Sequence, residues 1–170
     1  MSTRHAFAST SIGELLLVAD GDALIGLYFE GHKYPPAADA IGERLDEAAD
    51  PVLRRAAAEL RQYLAGERRE FSVPLAPVGD AFSQQVWRIL LRIPYGETTT
   101  YGAIAEQLGN RSLAQRVGQS VGHNPISIIV PCHRVLGADG SLTGFAGGLE
   151  RKRALLELEE PPASESGRLF

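Results

Sequence analysis

Apolar positions along the chain change period several times, and each change marks an element. Glu14 to Ala19 and Ala23 to Phe29 are two apolar, β-prone runs joined by Asp20-Gly21-Asp22, which predicts a hairpin. Asp50-Pro51 reads as a capping residue followed by proline at the first helical position. Leu53, Ala57, Leu60 and Leu64 then recur at helical spacing, and Gly66 ends the run. Two prolines and a glycine between Ser72 and Gly79 break the periodicity, so the expected boundary separates residues 1–78 from 79–170. Beyond it, Phe82, Val86, Ile89 and Leu90 share one face of a helix over Phe82–Leu91, with Trp87 beside them and Ile93-Pro94-Tyr95-Gly96 as its stop.

A short helix from Tyr101 to Leu108, the turn Gly109-Asn110-Arg111 and a second helix from about Ser112 to Val121 follow. Ser112 and Gln115 have the spacing of a capping box. The pair reads either as a plain helical hairpin or as a helix-turn-helix, whose second helix enters a DNA groove. Ile126 to Val130 is strand-like and is stopped by Pro131. Gly137-Ala138-Asp139-Gly140 is a turn, and a last helix covers about Leu149 to Leu158. The pattern is α+β: a small α/β part, then a mostly helical one.

With 170 residues and 44 % hydrophobic content the chain can bury a substantial core. It shows no secretory leader and no apolar run approaching the roughly 18 residues that span a membrane. A single cysteine excludes an internal disulfide and any metal site built from several thiolates, and it suits a reducing, cytoplasmic compartment. The net charge of −4 argues against nucleic acid, but its distribution does not. Between Phe82 and Arg153, eight basic residues (Arg88, Arg92, Arg111, Arg116, Arg134, Arg151, Lys152, Arg153) face four acidic ones (Glu97, Glu106, Asp139, Glu150), a local excess of four positive charges. Glu157, Glu159, Glu160 and Glu165 concentrate negative charge beyond it. A short phosphate footprint fits this pattern; wrapping long DNA does not.

Cys132 is the cysteine in question, and it lies within Pro131-Cys132-His133-Arg134-Val135. Unpaired cysteines are commonly inert core residues. This one is delivered at a turn, with a base candidate and a fixed cation directly after it. A thiol attacks only as thiolate, from an ordinary pKa of about 8.5, so the site must supply a base or a positive field. His133 is the nearest base, but adjacent side chains do not face one another, and a bridging water is the simpler geometry. A third group must then orient the imidazole, and the acidic final helix offers Glu157 and Glu159.

The segment Pro131–Val135, preceded by Gly122-His123-Asn124-Pro125 and followed by Gly144-Phe145-Ala146-Gly147-Gly148, resembles the O6-alkylguanine-DNA alkyltransferases. The likeness extends back through Ile93 to Gly102 as far as Phe82 and forward to Glu159, and is weaker over the N-terminal hairpin with its Ser11-Ile12-Gly13 opening. The resemblance implies an RNase H-like N-terminal domain and a winged-helix C-terminal domain. It implies direct reversal of O6-alkylguanine damage, with O4-alkylthymine as a further substrate, in double-stranded DNA entered from the minor groove. The protein would act as a monomer able to bind cooperatively along DNA, with no cofactor, no metal and no membrane. A lesion-binding module with no alkyl acceptor is the main rival reading, followed by a methylation-responsive regulator and a thiol hydrolase.

By the same resemblance Cys132 is the alkyl acceptor, His133 the water-mediated base and Glu159 its orienting carboxylate. Asn124 is the hinge between recognition helix and site, and Tyr101 crowds the target phosphate and hydrogen-bonds the flipped base. Arg134 follows the histidine as an ion-pair residue, and with Val135 is counted in the set that lines the substrate. Thr143, Gly144, Phe145 and Ala146 form the lid over guanine; Ala146 stands where some members have serine. Small Ala114 and Gly118 let the recognition helix approach DNA. There the family reads small-Arg-Ala-Val-Gly, whereas this chain reads Ala114-Gln115-Arg116-Val117-Gly118. One residue is about 100° around a helix. Arg116 is therefore expected on phosphate, and Gln115 in the gap left by the extruded base.

Overall fold

The computed structural model describes residues 3–160. Glu165 of the expected acidic flank lies outside them. Three antiparallel strands, β1 (Thr3–Thr10), β2 (Gly13–Asp20) and β3 (Ala23–Phe29), form a meander, and β4 (Glu43–Arg44) adds in parallel to β1, giving the order β3-β2-β1-β4. The hairpin read from the sequence is present, whereas β1 escaped the pattern. Its buried positions are His5, Ala6 and Ala8, residues with little strand signature. Opposite Leu17 and Leu15, those alanines complete a face covered by the helix α1 (Pro51–Leu64).

Asp50 starts α1 by accepting hydrogen bonds from Val52 and Leu53 N–H, both at 3.0 Å, while Arg4 holds the same carboxylate at 2.7 Å. Leu53, Ala56, Ala57, Leu60 and Tyr63 are its buried apolar side chains. The proline-rich linker that follows is pinned rather than loose. Leu24 N–H donates to Pro74 C=O and Ala76 N–H to Leu24 C=O, and Glu59 accepts from Ser72 and Val73 N–H.

The second half holds α2 (Ala81–Leu91), α3 (Tyr101–Gln107), α4 (Ala114–Gly122) and α5 (Leu149–Glu159), with β5 (Thr99–Thr100) parallel to β6 (Val135–Leu136). Trp87 binds α2 to α4 through Nε1–H donating to Ser120 C=O at 2.9 Å. Two sequence expectations fail here. Ser112 and Gln115 make no capping box: Asn110 accepts from Ser112 N–H and opens a 3₁₀ turn over Arg111–Leu113, and α4 begins only at Ala114. Ile126–Val130 is not a strand. It makes a single parallel bridge, Ile126 to Leu27 of β3, and then curls into turns. The apolar run reflects burial on all sides, which periodicity cannot tell from a buried strand.

Candidate active site

The curl is what aims Cys132. Leu27 on the edge of the sheet donates its N–H to Pro125 C=O and accepts from Ser127 N–H, so the N-terminal sheet holds the acceptor loop. Asn124, 2 % exposed, spans the loop from inside: its amide donates to Val130 C=O at 2.8 Å and its oxygen accepts from Ile126 N–H at 3.0 Å. Ile129 N–H donates to Ser127 C=O across Ile128, whose φ is 71°. A β-branched residue in that region is strained and persists only where its surroundings fix it. Pro131 then leads into one 3₁₀ turn, Cys132–Arg134.

Cys132 is 5 % exposed and forms part of the wall of a cavity of about 280 Å³. Tyr101 of α3 and Gln115 and Gly118 of α4 contribute one side of it, and Gly144, Phe145 and Ala146 another. The Thr143 hydroxyl donates to the Tyr101 oxygen at 3.3 Å, closing lid to helix. Gly118 lies under the Tyr101 ring, where an added Cβ would meet it at 3.7 Å. Ala114 is half-buried at the start of the same helix.

Behind the thiol the polar groups form one continuous network. His133 is fully buried and its Nε2 lies 2.8 Å from Glu159 Oε2. Arg134 grips both Glu159 oxygens at 2.8 Å, and Tyr63 of α1 donates to Oε2 as well. Burial alone would raise the Glu159 pKa, but the hydrogen bonds from His133, Arg134 and Tyr63 outweigh it and bring it to about 2. Burial pushes His133 down, beyond what Glu159 restores. The imidazole is therefore neutral, and an ionised Glu159 can only accept, so the ring proton sits on Nε2. Nδ1 is left as a base with no partner in the protein. Burial also pushes the Cys132 thiol up. The resting pair is neutral thiol and neutral imidazole, and the thiolate forms on demand.

Three residues outside the sequence reading join this site. Tyr63 belongs to the apolar face of α1, where only its hydroxyl betrays a second role. Lys152 is fully buried and donates to Val135 C=O and Thr143 C=O, both at 2.7 Å, tying acceptor turn to lid. It hides in the basic run Arg151-Lys152-Arg153, yet its spacing with Leu155 and Glu159 places it on the buried face of α5. Tyr34, after β3, stacks on His123 with ring centroids 3.8 Å apart at the cavity rim.

The side chains of Arg134 and Val135 point away from the cavity, contrary to the sequence expectation. Arg134 is 7 % exposed and committed to Glu159, and the Val135 side chain is wholly buried. On α4, Gln115 faces the cavity, while the Arg116 guanidinium lies over the Phe82 ring at 3.9 Å, away from it.

The sequence and the fold are shared with known proteins. Residues 81–161 match the DNA-binding domain of 6-O-methylguanine DNA methyltransferase, and residues 3–77 its ribonuclease-like domain. The chain belongs to the 6-O-methylguanine DNA methyltransferase family. It is 48 % identical over 160 residues to the methylated-DNA–protein-cysteine methyltransferase of Mycobacterium tuberculosis, covering 94 % of this chain and 93 % of that one. The corresponding protein of Haemophilus influenzae is 42 % identical over 96 % of this chain and 89 % of its own. The crystal structure of the M. tuberculosis protein in complex with DNA superposes with a TM-score of 0.83 at 46 % identity, covering 92 % of each chain. As in that family, the architecture is α+β, an N-terminal sheet domain joined to a helical C-terminal one. Among the described residues no helix is long and apolar enough to cross a membrane.

Proposed function

We propose that this methyltransferase-family protein repairs O6-alkylguanine in duplex DNA by moving the alkyl group onto Cys132, once per molecule. The observation that carries the proposal is the buried Glu159–His133 pair, whose Nδ1 has no protein partner, next in the chain to a thiol in the wall of a base-sized cavity beside α4. The damaged atom lies inside a duplex, so α4 enters the minor groove and the nucleotide turns out into the cavity, at a cost of a few kcal/mol. A water carries the Cys132 proton to Nδ1 of His133. The sulfur then bonds to the alkyl carbon as the carbon–oxygen bond breaks, and the electron pair leaves on guanine O6. Tyr101 is the hydrogen-bond donor to that developing charge. The thioether has no electrophilic carbonyl for water to attack, so the acceptor is spent.

The test is intact-protein mass after incubation with a duplex carrying one O6-methylguanine. The expected result is a gain of one methyl per molecule that never exceeds one and is absent in Cys132→Ala. Tight lesion binding with no mass change would instead identify a lesion-binding module, a reading that a free thiol in the cavity wall disfavours.

On α4 the roles divide between neighbours. Gln115 fills the space of the extruded base, and Arg116, lying over Phe82 outside the cavity, pairs with a phosphate. Arg116→Ala is expected to weaken duplex binding uniformly across sequences and to reduce the slope of log affinity against log salt by about 0.9. Fluorescence anisotropy over a salt series reads both; an unchanged slope removes the phosphate contact. A free acceptor thiol fits a reducing, cytoplasmic compartment.

A further inference from the structure

Among the described residues just two buried side-chain polar atoms lack a hydrogen-bond partner in the protein: His133 Nδ1, already placed as the base, and Ser127 Oγ. Ser127 is 1 % exposed. Its backbone is held on both sides, by Leu27 C=O at its N–H and by Ile129 N–H at its C=O, the latter across the strained Ile128. That backbone is fixed, and it leaves the buried hydroxyl without a hydrogen bond yet near enough to the Cys132 sulfur to favour the ionised thiol. A buried hydroxyl without a partner costs stability, so a group kept in that state is kept for another step.

We propose that the Ser127 hydroxyl is a hydrogen-bond donor to the Cys132 thiolate, recruited when the thiol proton leaves for His133. No bond to Ser127 breaks: the S–H bond is cleaved, its proton passes to Nδ1, and the O–H rotates toward the negative sulfur. The other groups facing the thiol are Asn124 on its own loop and Lys152 from α5, with Tyr101 of α3, Lys33 and Tyr34 after β3 and His123 after α4 on the cavity wall. Asn124 and Lys152 are held by backbone carbonyls, Val130 for the first and Val135 and Thr143 for the second, and each keeps one hydrogen that can share the same charge. Ser127 has its single donor uncommitted. The inference deepens the acceptor assignment and rests on it for its biological meaning, but its test does not require DNA.

The experiment measures the rate of Cys132 alkylation by iodoacetamide from pH 6 to about pH 10.5 in the wild type, Ser127→Ala and Ser127→Thr, with methyl transfer from the lesion duplex followed in parallel. Losing a hydrogen bond to an ionised group is expected to raise the apparent thiol pKa by about one unit in Ser127→Ala, a tenfold loss of thiolate below it. A less stabilised sulfur is also a better nucleophile. At pH 7 the observed rate should therefore fall only about threefold, and above both pKa values Ser127→Ala should react about threefold faster than the wild type. Such a crossing of the two profiles is the signature of thiolate stabilisation, because a looser or misfolded site shifts both limbs the same way. Ser127→Thr, which restores a hydroxyl, should return the pKa toward the wild type. An unchanged thiol pKa in Ser127→Ala, or profiles that run parallel, would overturn the inference. Wild-type protein that takes up iodoacetamide but no methyl would sink the repair reading and leave the Ser127 result standing.

Discussion

Glu159→Ala is expected to destabilise the protein by about 3–5 kcal/mol and to abolish methyl transfer. The carboxylate collects His133, both arms of Arg134 and Tyr63 at a site 3 % exposed. Without it a guanidinium, a hydroxyl and an imidazole N–H are all stranded. Glu159→Gln separates the two losses. Its amide keeps the volume but offers an NH₂ where every neighbour donates. An amide hydrogen directed at His133 Nε2 forces the ring proton to Nδ1, and the base becomes a donor facing the thiol. Methyl transfer should fall by orders of magnitude while a folded protein survives.

The pH dependence carries a definite sign. Glu159 has a folded pKa of about 2, below its unfolded value, so its stabilisation is fully present above about pH 4.3. It is lost as pH falls toward 2. Urea melts followed by circular dichroism should show the wild type weakening over that window. Glu159→Gln, with nothing to protonate there, should weaken less. Parallel curves for the two proteins would mean that the carboxylate is not held ionised by its neighbours.

Much of this was legible in the chain, for identifiable reasons. Asp50-Pro51 and the 3–4 spacing of Leu53, Ala57, Leu60 and Leu64 act within one helix, and local signals of that kind survive folding. Cys132, His133 and Glu159 were named because chemistry and resemblance pointed to residue types, and the fold brings His133 and Glu159 together across 26 positions. What stayed hidden depends on partners distant in sequence. Ala6 and Ala8 look like nothing until Leu17 and Leu15 pair with them. Ile126–Val130 looked like a strand because a loop buried between sheet and helices must be apolar throughout. Asn110 displaced Ser112 as the capping residue because its side chain takes Ser112 N–H and starts the turn two residues earlier than the box pattern assumes. The late arginine of α4 was legible as a departure, but its perch on Phe82 was not.

Lys152→Met is expected to slow methyl transfer by tenfold or more while leaving binding of a lesion duplex close to that of the wild type. The ammonium is fully buried, and burial lowers its pKa to about 8 against the opposing pull of Cys132, so it remains largely charged at neutral pH. A cation so placed favours the thiolate, and losing an adjacent opposite charge typically moves a pKa by about one unit or more. Lys152 also holds Val135 and Thr143 by their carbonyls, coupling the acceptor turn to the lid that closes on Tyr101. Methionine fills similar volume and removes the burial cost of the charge, so the net loss of stability should stay near 1–3 kcal/mol, the cost of the orphaned carbonyls. Single-turnover kinetics with protein in excess give the transfer rate, and the Cys132→Ala background gives affinity without reaction. A rate that falls equally at every pH would assign Lys152 to the lid alone. Recovery at high pH, where the thiolate forms without help, would assign it to the sulfur, and both Lys152 and Ser127 would then act on the one charge that this buried site must create.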